Sequence, residues 1–286
     1  MTEPAANTID APALRRRRLP LSLVAGLIMI SFWLVMSIVG PHVAPYSAGK
    51  VVDLDAFGPL SMKHPLGTDY LGRDMLSRIL YGSRYTIGLA LAATALACLA
   101  GATLGLLAAA VGGWLDAVLS RALDALISIP SLLFGLVVVA AFGSSIPILV
   151  ATAAIIYTPG SYRISRSLAV NVNAMDFITV ARARGERTGY IMIEEILPNI
   201  VGPLVTDFGL RFVFVILLLS RLSFLGLGIQ PPNADWGSLV RENISGLVYG
   251  APAVVVPALA IASLTIGVNL IIDALQGRSA GTPEGH

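Results

Sequence analysis

Asp207 and Arg211 stand four residues apart inside a largely apolar run from Ile200 to Leu225, whose remaining charge, Arg221, lies near its end. On a helix that spacing puts a carboxylate and a guanidinium on one face, within reach of each other. Two chemistries fit. One is a structural ion pair that holds the helix against its neighbours. The other is a polar patch on a water-filled path, which would bias the charge of whatever passes. A lone charge at the centre of a bilayer costs about 2.5–3.5 kcal/mol on insertion scales, so the two are expected either to pair or to face water.

Other residues with reactive potential are sparse. His64 has no His, Cys or carboxylate at ligand spacing and reads as a turn residue before Pro65. A single cysteine, Cys98, leaves no intrachain disulfide and no cysteine-based metal site. The only lysines are Lys50 and Lys63, and neither lies in G-x-x-x-x-G-K-[ST], so the chain carries no phosphate-binding loop. Neither a nucleophile elbow, nor H-E-x-x-H, nor a catalytic carboxylate pair is present. "GLGIQPPNADWG" is not a dinucleotide fingerprint, because Pro231-Pro232 breaks the helix that would have to follow. It reads as a rigid turn with Trp236 at a membrane interface. No catalytic residue, metal or cofactor is expected in this chain.

What must position these residues is a set of membrane-crossing helices. Of 286 residues, 56% are hydrophobic and only 13% charged, and the mean hydropathy is +0.80. That balance excludes a soluble domain of this size. Basic residues are scattered, with no nucleic-acid footprint. Arg15 to Arg18 precede an uncharged run too long for a signal peptide, which gives a basic tail over 1–18 and a first transmembrane helix over 19–42. Residues 43–84 form an outer loop. A second apolar run covers Tyr85 to Leu115, with Gly101 and Gly105 in a G-x-x-x-G pair that either admits a close helix neighbour or reflects the general abundance of small residues. The uncharged stretch from Ala125 to Tyr162 is too long for one crossing and should break at Gly143–Pro147. A fifth crossing runs from Ile200 to Leu225 and a sixth from Ala251 to Ile272, before a tail over 274–286. The expected fold is all-α, a polytopic membrane protein with six transmembrane helices.

Orientation follows from the basic residues. With the N-terminus inside, cytoplasmic segments hold Arg15 to Arg18, Arg121, Arg163, Arg166, Arg182, Arg184, Arg187 and Arg278. Outer segments hold only Lys50, Lys63, Arg73, Arg78, Arg84 and Arg241. The excess favours cytoplasmic N- and C-termini.

By parity, "VARARGERTGYIMIEEILPN", Val180 to Asn199, then lies in the cytoplasm between spans four and five. Local signals suggest a hairpin over about 174–198. Its first helix runs from Ala174 to Arg184, with Asn173 or Asp176 as N-cap, Arg184 at the negative end and Gly185 in the left-handed cap. Its second starts near Thr188, places Tyr190, Ile193 and Leu197 on one face, and stops at Pro198.

The order Thr179-Val180-Ala181, three residues, Gly185, nine residues, Glu195, Ile196, Leu197-Pro198 resembles the signature loop of ABC importer permeases, E-A-A-x3-G-x9-I-x-L-P. Thr179 stands for the glutamate, Val180 for the first alanine and Glu195 for the isoleucine. "HPLGTDYLGRDMLSRILYGSR" (His64 to Arg84), "LSFLGLGIQPPNADWGSLV" (Leu222 to Val240) and "DAVLSRALDALISIP" look like the C-type subunit of the dipeptide, oligopeptide and nickel branch.

The resemblance implies the type I importer permease architecture, in which the loop is a coupling helix docked on an ATPase. Thr179, Val180, Ala181, Arg182, Gly185, Glu186, Leu197 and Pro198 would form that docking face. It further implies a second permease subunit, two ATPase subunits that bind the ATP and Mg, and an external solute-binding protein. Short peptides are the implied solute, with nickel complexes and opines carried by similar permeases. In "LGRDMLSRILYG" the rhythm of Leu71, Leu76, Ile79 and Leu80 against Arg73, Asp74 and Arg78 suggests an amphipathic helix lying on the outer surface. The rival class is a secondary transporter or channel without ATPase partners, which predicts mid-membrane charges in several spans or an inverted repeat.

Overall fold

A computed structural model describes residues 20–279, with side chains described as far as Gln276. Arg15 to Arg18 and the Arg278 side chain, both used in the charge argument, lie outside the described residues. The regular elements of the described chain are helices, with two isolated β-bridges in the non-helical segment before the second helix.

Helix α1 spans Leu21–Val43 and α2 spans Met75–Val111. Then come α3 (Gly113–Ile127), α4 (Ser131–Phe142) and α5 (Ile146–Asn173). The short α6 covers Asp176–Ala183. Beyond it, α7 (Thr188–Tyr190), a π-helical turn (Ile191–Ile196) and α8 (Leu197–Phe224) run on as one rod. Last are α9 (Trp236–Glu242) and α10 (Pro252–Ser279).

Four of these rods are long and apolar enough to cross a membrane: Leu21–Val43, Met75–Val111, Thr188–Phe224 and Pro252–Gln276. A fifth crossing is available if α3 and α4, which meet at 84°, count as one broken span. The expected break at Gly143–Pro147 is present between α4 and α5. α5 has the length for a crossing but not the composition, since it carries Arg163 and Arg166. Its polar Thr152, Ser161 and Ser165 are buried against neighbours.

Two glycine contacts set the helix spacing. A Cβ on Gly101 would lie 2.6 Å from the Ser161 Cβ and 2.7 Å from the Tyr162 backbone nitrogen, and one on Gly105 would lie 2.8 Å from the Arg166 backbone nitrogen. The G-x-x-x-G pair is therefore a close α2–α5 crossing. Gly26 serves α1 in the same way, where a Cβ would come 2.7 Å from the Gly267 carbonyl on α10.

Residues 71–80 depart from the expected surface helix. Met75 to Leu80 are the first turns of α2, capped by Asp74, whose Oδ2 accepts from the Ser77 N–H at 2.8 Å. Arg73, Asp74 and Arg78 are buried, whereas Leu71 is exposed. The rhythm misled because its charged residues find partners outside the stretch and inside the protein. Asp69 Oδ2 accepts from Arg73 Nε at 2.6 Å and from Arg78 Nη1 at 2.7 Å, and Glu242 Oε2 accepts from Arg73 Nη2 at 3.1 Å and Arg78 Nη1 at 2.7 Å. The segment before α2 is thus clamped to α9.

Trp236 is likewise inside, with no exposed surface. Its ring packs edge-on to Trp33 at 4.6 Å between centroids, and its Nε1–H donates to the Ile79 carbonyl at 3.1 Å. A buried tryptophan needs such an acceptor, and the first turns of α2 provide it. His64 does make a turn, its carbonyl accepting from Ser61 and Gly67 N–H groups. Its ring is also anchored, with Nδ1 2.9 Å from Asp74 Oδ1.

Candidate functional site

The hairpin between α5 and α8 is built as follows. Asp176 occupies the first turn of α6, where an acid favours the positive helix end. The N-cap is Met175, without a side-chain bond, so neither Asn173 nor Asp176 caps the helix as expected. The other end matches expectation in detail. Gly185 has φ 83°, its N–H donates to Arg182 O at 2.9 Å, and the Glu186 N–H donates to Ala181 O at 3.2 Å. This pair of bonds is the Schellman closure, which needs a residue without a Cβ at the left-handed position.

The second arm does not stop at Pro198. A proline removes one N–H and crowds the carbonyl one turn back, but the π turn just before it widens the helix and lets α8 continue. Asn199 Nδ2 donates to the Glu195 carbonyl at 2.7 Å. The wider turn also shifts the buried face. Ile191, Ile196 and Ile200 are inside, while Tyr190 and Ile193, expected to share a face with Leu197, are exposed and Leu197 is half-buried.

Eight residues were expected on a docking face. Thr179, Val180, Gly185 and Pro198 are exposed, Glu186 and Leu197 partly so. Ala181 is fully buried, packed with Ile178 against Leu106 and Ala109 of α2. Arg182 is exposed, but its guanidinium reaches back to α2, where Nη2 donates to Ala110 O at 3.1 Å and to Asn173 Oδ1 at 2.8 Å. Sequence reasoning missed the exposed apolar residues Met175 and Phe177, which join Val180, Tyr190 and Ile193 on the hairpin surface. Spacing alone could not have set them apart, since Met175 stands three residues before Ile178 and Phe177 four before Ala181. Glu195, in place of the signature isoleucine, lies 3.7 Å from Arg184 across the hairpin, an exposed pair of small energetic weight.

In α8, Asp207 and Arg211 do pair: Arg211 Nε donates to Asp207 Oδ2 at 3.0 Å, and Nη2 lies 2.9 Å from Oδ1. The Arg211 guanidinium fills the space a side chain at Gly160 of α5 would need. Asp207 is buried against protein but borders a cleft of about 750 Å³ between α5, α8 and the end of α10, with Ile164, Pro203, Thr206 and Gln276. Among the described residues, no group of three or more His, Cys, Asp or Glu could hold a metal ion.

A bundle of apolar rods, with a short helix held at one end and an ion pair beside an open cleft, defines a membrane-embedded transport component. Residues 101–280 match the family of binding-protein-dependent transport system inner membrane components, and the chain belongs to that family. It is 35% identical over 264 residues, 92% of this chain and 86% of the relative, to the glutathione transport system permease protein GsiD of Escherichia coli O157:H7. The same identity and coverage hold for GsiD of Shigella sonnei strain Ss046. The protein is an ABC importer permease of the peptide and nickel branch, an integral membrane component of a system that includes an ATPase and a binding protein.

Proposed function

We propose that this chain is one half of the translocation path of an ATP-driven importer of short peptides. It pairs with a second, non-identical permease and docks on one of two separate ATPase subunits, while an external binding protein delivers solute. The chain crosses the bacterial cytoplasmic membrane six times, with α3 and α4 together as the third crossing and α5 as the fourth. Both termini and the hairpin lie in the cytoplasm. Glutathione, the solute named for the relatives, is a tripeptide and supports the choice of short peptides over nickel complexes or opines. A secondary transporter is less well supported, since Asp207 and Arg211 are the pair of charges its reading would need in several spans.

The observation that carries the docking reading is α6 itself, with Phe177 and Val180 exposed and open space beyond the Gly185 Cα. Gly185→Trp places bulk at that surface and adds about 1–2 kcal/mol of left-handed strain. Co-purification of the ATPase subunits should fall roughly tenfold or more, the ratio that about 1.4 kcal/mol produces. Gly185→Ala, which brings strain without bulk, should keep most of it. Undiminished association of the tryptophan variant, with normal transport-linked hydrolysis, contradicts docking here.

Asp207 and Arg211 line the path in this reading and set its charge preference. Asp207→Asn leaves Arg211 unbalanced beside the cleft and should favour anionic peptides. Arg211→Gln should favour cationic ones. The uptake ratio should move about fivefold in each direction, corresponding to ~1 kcal/mol of local electrostatics. Competitive uptake of acidic and basic dipeptides measures it, and equal loss for both classes, or no loss, returns the pair to a structural role.

A further inference from the structure

The end of α2 poses an accounting problem that the hairpin solves. A helix leaves its last carbonyls without intrahelical donors. At α2 the Gly112 N–H takes Ala108 O, and the last turn holds no basic residue. Asn173, the final residue of α5, donates from Nδ2 to Ala109 O at 3.0 Å. Arg182 on α6 donates to Ala110 O and to Asn173 Oδ1. One guanidinium thus supplies both the missing donor and the cation that the negative end of α2 favours. Beside this contact, Ile178 and Ala181 belong to the same buried apolar cluster as Leu106 and Ala109 of α2, together with Ile191 and Ile196 of the π turn.

We infer that Arg182 is a positioning residue for coupling rather than part of the docking face. With Asn173 it ties α6 to the end of α2. A displacement of α6 is then delivered to α2, and through the Gly101 and Gly105 crossing to α5, as well as along the chain into α8. Two rods starting from one short helix would move together, which suits a rigid transition between two packed states better than bending of α8 alone. This inference rests on the docking reading.

The test uses the assembled transporter in proteoliposomes, with dipeptide uptake and ATP hydrolysis measured together. Arg182→Ala and Asn173→Ala should both retain the ATPase subunits and hydrolyse ATP, yet import at least about fivefold less peptide per ATP, within the usual range of allosteric coupling. Arg182→Lys, which keeps a donor and the charge, should recover part of the ratio. The double variant should lose no more than Arg182→Ala alone, because both act through one contact. Loss of the ATPase subunits from Arg182→Ala but not from Asn173→Ala would make Arg182 a docking residue and overturn the inference, leaving the docking reading intact. An unchanged ratio in both single variants overturns it as well. Should the wild-type chain fail to retain ATPase subunits, the docking reading fails first.

Discussion

Replacing Arg78 with methionine is expected to cost about 3–5 kcal/mol, the usual consequence of removing one member of a buried ionic group. Arg78 is 1% exposed, and its Nη1 bridges Asp69 and Glu242. Without it, two buried carboxylates share one cation, Arg73. The damage should spread beyond the cluster, because these bonds join the segment before α2 to α9, and α9 carries Trp236 into the main core. Chemical denaturation in mixed micelles would measure the loss. Adding Glu242→Gln to Arg78→Met should recover part of it by removing one uncompensated charge. A single variant as stable as the wild type would mean that the cluster is solvated and the clamp unimportant.

Gly101→Leu is the second large effect. Even a Cβ at this position meets the Tyr162 backbone, which cannot rotate away as a side chain tip can. Overpacking in a core that can adjust costs about 1–3 kcal/mol, and a leucine wedged between two backbones should reach the top of that range. Because α2 and α5 form the frame on which the hairpin sits, the variant should show reduced recovery of folded protein and weaker retention of partner subunits. Gly88→Leu on the same helix is a control, since nothing lies within 4 Å of its added Cβ. It should behave at least as well as the wild type in thermal melts, since leucine favours the helix more than glycine does, and equal damage from both would contradict the role of the crossing.

Much of the bundle was legible because apolar length is a direct physical signal. The break at Gly143, the crossing of Gly101 and Gly105, and the left-handed Gly185 each follow from a residue type with few alternatives. What escaped were features decided by partners distant in sequence. Arg73 and Arg78 read as a wet face because one carboxylate that pairs with both, Glu242, lies more than 160 residues away, and Asp74 because its partner is the His64 ring. Trp236 looks interfacial until its acceptor on Ile79 is known. Pro198 reads as a helix stop, and only the π turn explains why it is not one. At the hairpin, spacing located the motif but could not show that the exposed Arg182 hydrogen-bonds back to Ala110 of α2.

The central claim is that this chain conducts solute only as part of an ATP-driven assembly coupled through the hairpin. The most direct measurement is uptake of a labelled dipeptide into proteoliposomes holding this chain with its second permease and ATPase subunits, and the cognate binding protein outside. Uptake should require ATP, the binding protein and both ATPase subunits, and should vanish with Gly185→Trp. Dipeptide flux through the permeases alone, driven by a gradient and indifferent to ATP, would contradict the account and favour a secondary transporter.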